Sequence, residues 1–99
     1  MTAPAVLVET EAGFLGWVRD LARWRHWRTY HTLRSKGSEP GFPDLVLLRP
    51  PRLIVAELKT ERGRVSHYQR EWLAELEAVG AEVYTWRPRD RPEIERILQ

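Results

Sequence analysis

Three ionisable residues stand inside two apolar runs of this sequence. Asp44 opens "DLVLLR", and Glu57 and Lys59 interrupt "LIVAELKT". Pro50-Pro51 joins the runs, which read as two strands of a hairpin, Asp44 to Arg49 and Leu53 to Thr60. If the hairpin closes symmetrically about the prolines, Arg49 faces Arg52, and counting outward sets Asp44 directly opposite Glu57. Such positions hold their Cβ atoms roughly 4.5–5.5 Å apart. Lys59, two residues beyond Glu57, falls on the same face. Prolines do not supply the positive φ of the tightest hairpin turns, so a wider loop or a bulge would shift this register.

Two like charges directly opposite one another destabilise a sheet. Asp44 and Glu57 must share a proton, meet a cation or pair with Lys59. A divalent metal resolves the conflict most simply. The chain has no cysteine, and His26, His31 and His67 share no ligand spacing. Oxygen ligands alone suit a hard ion, Mg²⁺ with Mn²⁺ as a substitute. An ion held there activates a water and neutralises charge building on a phosphate. The lysine then positions the attacking water or stabilises the charged transition state. The plain alternative is an ordinary hairpin with a surface Asp-Lys-Glu cluster. The apolar flanks and the pairing of the carboxylates weigh against it.

Positioning these groups calls for a sheet with helices around it. Phe14, Leu15, Val18, Leu21 and Ala22 recur at helical spacing between Thr10 and Arg25, with Thr10 as N-cap and Glu11 in the first turn. Trp27 to Leu33 is rich in aromatic and β-branched residues and reads as a strand. "RSKGSEPG" is a loop by composition, and "ERGR" a turn. Ser66 to Val79 is the clearest helix, carrying the stripe Tyr68, Trp72, Leu73 and Leu76 and ended by Gly80. Ser66 and Gln69 fit a capping box. Ala81 to Trp86 is a fourth strand, and Pro92 opens a short helix with Ile94, Ile97 and Leu98 on its apolar side. The fold class is α/β, in the order α-β-β-β-α-β-α, with a central sheet flanked by helices. The connection from third to fourth strand is long enough for a parallel crossover.

The bulk numbers agree with one domain, residues 1 to 99, of which 42% are hydrophobic. No apolar stretch approaches the ~20 residues of a membrane span, and the start "MTAPAVLVETEAG" lacks the pattern of a signal peptide. The absence of cysteine fits a reducing, cytoplasmic setting. Net charge is +2 and the pI near 9.4. Only Lys36 and Lys59 among the sixteen cations are lysines. Arginine excess suits phosphate contacts, and it also follows from a GC-rich coding bias.

Pro43-Asp44 followed by Glu57-Leu58-Lys59 resembles the PD-(D/E)xK nuclease signature. The segments "TEAG", "YHTLRS", "GFPDLVLL", "VAELKTERGRVSHYQREWL", "GAEVYTWRP" and "IERIL" resemble the VRR-NUC branch, the virus-type replication-repair nucleases, in its short stand-alone form. The resemblance implies a restriction-endonuclease-like core and metal-dependent hydrolysis of DNA phosphodiesters. By position it makes Asp44 and Glu57 metal ligands and Lys59 the catalytic lysine. Glu11 corresponds to an upstream acid, with Glu9 as a nearby substitute. The main-chain carbonyl of Leu58 completes the metal's shell, and Gln69 matches a glutamine on the following helix. Stand-alone relatives imply branched or four-way junction substrates, in a bacterial or phage-infected cell. The run "RWRHWR" departs from the glycine-containing turn expected after the first helix.

Arg34, Ser35 and Lys36, just ahead of the metal carboxylate, are the expected phosphate contacts, with Arg62 and Arg64 as the other wall. Trp24 and Trp27, interleaved with arginines, are candidates to face DNA or to fill the corner between helix and strand. His31 is a candidate substrate contact. The expected protein is a Mg²⁺-dependent DNA endonuclease with no small-molecule cofactor, and two-strand cleavage by so short a chain calls for a homodimer. The competing readings are a non-catalytic nucleic-acid-binding subunit of a repair or phage complex, and a hydrolase of another phosphate ester.

Overall fold

A computed structural model of the chain describes residues 9–33 and 37–99. The elements are α1 (Glu11–Trp24), β1 (Arg28–His31), β2 (Leu45–Arg49), β3 (Arg52–Leu58), α2 (His67–Ala78), β4 (Glu82–Trp86) and α3 (Arg91–Leu98). A 3-10 turn, Pro88–Asp90, leads into α3. This is the order expected from the sequence. The sheet runs β1-β2-β3-β4. Its first two pairings are antiparallel and β3-β4 is parallel, so the sheet is mixed, with α2 as the crossover.

Alternation along the strands divides the sheet into two unlike faces. Leu45 and Leu47 of β2 with Ile54, Ala56 and Leu58 of β3 meet Phe14, Val18 and Ala22 of α1 and Ile94 and Leu98 of α3. All are buried, and they form the main core. The residues between them, Val46 and Leu48 opposite Val55 and Leu53, point to the other side. There α2 packs on β3 and β4. No residue of α2 is fully buried, so this second face is covered more lightly, and Leu48 and Leu53 stay exposed.

Both long helices end in the same hydrogen-bonded motif. In α2, Gly80 takes φ +103, its N–H reaches the Glu77 carbonyl at 3.0 Å, and Ala81 N–H reaches Leu76 at 3.1 Å. This is the Schellman arrangement, which places a left-handed residue after the helix. In α1 the same bonds run from His26 to Arg23 (3.0 Å) and from Trp27 to Ala22 (2.9 Å). The left-handed residue is His26, at φ 67. The turn that "RWRHWR" left undefined therefore forms as a glycine-type turn without glycine. Trp27 is consumed by it, which is why β1 begins at Arg28 rather than at Trp27.

Trp27 also ties α3 to the sheet. It is buried, and its indole N–H donates to the Leu98 carbonyl at 3.0 Å. Arg49 lies over the Trp27 ring, 4.5 Å from its centroid. It donates to the carbonyls of Arg25 (2.9 Å), Leu98 (3.3 Å) and Gln99 (2.8 Å). Arg52 donates to the Ile97 carbonyl at 2.9 Å and grips Glu82 through two 2.8 Å bonds. Cationic donors at the orphan carbonyls of a helix C-terminus are favourable on both hydrogen-bonding and dipole grounds. Trp27 is thus a core residue and not a DNA contact. Trp24 is exposed, but it lies beside the Arg49–Arg52 end of the hairpin, far along the strands from Asp44.

Candidate active site

The register of the hairpin decides whether the three ionisable groups meet. A cis Pro50-Pro51 bond closes the turn tightly, and Arg49 faces Arg52 with the pairing continuing unbroken to Leu45 opposite Ala56. No bulge intervenes, so Asp44 arrives beside Glu57, one residue before β2. The contact is made through crossed hydrogen bonds. The Glu57 carboxylate Oε1 accepts from Asp44 N–H at 3.2 Å, and Asp44 Oδ2 accepts from Leu58 N–H at 2.8 Å. Asp44 is further fixed by its carbonyl, which accepts from Thr32 N–H at 2.8 Å.

Among the described residues Glu57 is the one charged residue that is buried, 1% exposed. Its second oxygen, Oε2, is buried and accepts no hydrogen bond. The Lys59 ammonium lies 3.7 Å from that oxygen, within ion-pair reach but too far for a hydrogen bond. Burial pushes the Glu57 carboxyl well above its usual value, up to about 8; hydrogen bonding to the Asp44 carboxyl and its charge push the same way, and Lys59 opposes them. A buried carboxylate oxygen with no hydrogen-bond donor, next to a second carboxylate, has the chemistry of half a hard-cation site. The residues present fit a divalent ion.

Other candidates fall less close. Glu11 is exposed in the first turn of α1, and that helix packs on the opposite face of the sheet. Among the described residues no group of three or more His, Cys, Asp or Glu side chains is placed to hold a metal. The acids that the structure joins by hydrogen bonds are Asp44 and Glu57. Glu9 is ion-paired to Arg91. His31 pairs with Leu45, on the α1 face and turned from the carboxylates. Its neighbours Tyr30 and Thr32 lie on the Asp44 face instead. Gln69 completes the capping box, its side chain accepting from Ser66 N–H at 2.8 Å, and it also lines a groove with Asp44.

That groove, about 690 Å³, runs between β1, the loop ahead of Asp44 and the start of α2. The loop is pinned to α2. Gly41, at φ +91, sits so close to Tyr68 that a Cβ would lie 2.6 Å from its backbone, and Trp72 donates to the Pro40 carbonyl at 3.0 Å while its ring meets Phe42 edge-on. "GFPD" carries the glycine that makes this approach possible, but its partner on α2 is not readable from sequence. Arg34, Ser35 and Lys36 lie outside the described residues.

The turn after Lys59 has its own anchor. The Arg87 guanidinium donates to the carbonyls of Thr60 (2.6 Å) and Gly63 (2.7 Å). Sequence reasoning missed Arg87, because its role depends on β4 delivering it beside a turn more than twenty residues earlier. Arg62 and Arg64, on the same turn, are exposed and carry no ion pair among the described residues.

The family model of the VRR-NUC domain matches residues 5–90. The match covers most of the chain, and the chain belongs to the VRR-NUC family. Membership implies a nuclease of the PD-(D/E)xK type, a class that generally uses a divalent metal and takes DNA as substrate. No curated protein matches the sequence significantly. Among the described residues no helix is long and apolar enough to cross a membrane.

Proposed function

We propose that the chain is a single-domain Mg²⁺-dependent DNA endonuclease whose ion is held between Asp44 and Glu57. The observation that carries this reading is the buried, hydrogen-bond-free Oε2 of Glu57 with Lys59 3.7 Å away and Asp44 alongside. When bound, a divalent ion supplies charge neutralisation at the phosphate and activation of the attacking water. Asp44, held by Leu58 N–H, and Glu57 fix the ion's place, with the Leu58 carbonyl as a further oxygen donor. Lys59 holds its ammonium beside Glu57, where it orients the water or stabilises charge on the reacting phosphate. Mn²⁺ substitutes for Mg²⁺ because the ligands are hard oxygens. Arg62 and Arg64 grip the DNA backbone, joined by the segment of Arg34 to Lys36. Gln69 caps α2 and meets the strand entering the groove.

The finer reading is selectivity for branched or four-way DNA by a homodimer, since one site on so small a surface cuts one strand. The test is a panel of linear, nicked, flapped and four-way DNA with Mg²⁺, Mn²⁺, Ca²⁺ or EDTA. Strand cleavage with Mg²⁺ and Mn²⁺ and none in EDTA is the expected outcome. Lys59→Ala keeps metal binding and loses turnover. Wild-type rates from that variant on every substrate would remove Lys59 from the chemistry.

A further inference from the structure

The groove beside Asp44 has a lining unlike that of a phosphate site. None of its described lining residues is a lysine or arginine, and it carries two acids, Glu39 and Asp44. Among the described residues, a phosphodiester laid along it would meet these two acids and no cation. Its walls are instead aromatic. Tyr30 of β1 is 62% exposed and Tyr68 of α2 is 56% exposed, with Leu33 exposed beside them. Tyr30 meets no other ring among the described residues, whereas Phe42 and Trp72 are spent on each other at 5.1 Å. Exposed rings at a groove that leads to the reacting carboxylate are placed for flat, neutral, partly apolar groups. The volume of about 690 Å³ lies in the range of small-molecule-sized sites. Among the described residues, the exposed cations Arg62 and Arg64 stand outside this lining, on the turn after Lys59.

Building on the nuclease reading, we infer that this groove takes unpaired bases of the strand next to the scissile bond, stacked on Tyr30 and Tyr68. Stacking on aromatic side chains tolerates any base, because each presents a π-face. The groove then selects DNA whose strands are already splayed, and a continuous duplex reaches the carboxylates without filling it.

The test measures binding in EDTA, so that no strand is cut. A fluorescein-labelled single strand of thymidines is compared with a strand of the same length made of abasic sites. Wild type is expected to bind the base-bearing strand about 5- to 150-fold more tightly. Tyr30→Ala and Tyr68→Ala should each lose most of that preference, while Tyr30→Phe and Tyr68→Phe keep it. Unchanged melting temperatures show that the Ala variants fold. Equal binding of the two strands by wild type, or a preference retained by both Ala variants, overturns the inference. So does a wild-type dimer that Tyr30→Ala splits with base preference intact, which would mean that a second copy covers the groove. Failure of the nuclease reading looks different: no DNA is cut with Mg²⁺ although the base preference stands.

Discussion

Glu57 holds a proton in the metal-free fold that it would release when unfolded. Its carboxyl is pushed up to about 8 against the usual 4.5, by burial first and by Asp44 second. Between those values the folded state binds more protons than the unfolded one, so stability falls as pH rises through the window and then levels off. In EDTA the melting temperature of wild type should therefore decline from about pH 4.5 to about 8 relative to Glu57→Gln, which has no proton to lose. A constant difference between the two proteins across that window would contradict the burial argument. Of the three ways to relieve the carboxylate pair, the geometry shows partial pairing with Lys59, and burial favours the protonated form of Glu57. The pair was legible in the sequence because a symmetric hairpin fixes who faces whom. The crossed bonds through Asp44 N–H and Leu58 N–H were not, since they depend on where β2 begins.

At the level of elements, helix caps and turns were readable to the extent that they obey local rules. Ser66, Gln69 and Gly80 act on α2 as their types predict. His26 breaks the rule for α1, holding a left-handed turn at φ 67. Non-glycine residues there pay roughly 1 kcal/mol relative to glycine. His26→Gly should raise the melting temperature by about 4–8 °C for each kcal/mol gained in a domain of this size. A fall on thermal melting would mean that the imidazole makes a compensating contact. Gly41 offers the opposite test. Gly41→Ala places a Cβ 2.6 Å from the Tyr68 backbone, so the loop must leave α2. Nuclease rate on the best substrate should drop with stability, since that loop delivers Asp44. Neither the Gly41 approach nor the Arg87 anchor was open to sequence reasoning, because each joins segments that only the folded sheet brings together.

Across the whole molecule, charge is distributed by role. Arg49 and Arg52 serve α3 at one end of the sheet, while Arg62 and Arg64 stand exposed near the carboxylates. The arginine excess is thus partly structural, and composition alone did not separate the two uses. Arg62→Ala with Arg64→Ala should flatten the dependence of log K on log salt by about 0.9 per lost contact on duplex DNA. An unchanged slope would take that turn out of the interface. Arg49→Ala should leave the slope alone and instead destabilise the fold by roughly 1–3 kcal/mol, through the part-buried Arg25 carbonyl that loses this donor. The measurement that bears most directly on the central claim is the melting temperature of wild type and Asp44→Asn, in EDTA and then in excess Mg²⁺. At a hundred-fold excess over Kd, mass action stabilises wild type by about 2.7 kcal/mol, and the variant, with one carboxylate removed, should gain much less. An equal gain in both proteins would mean that Asp44 and Glu57 do not share an ion.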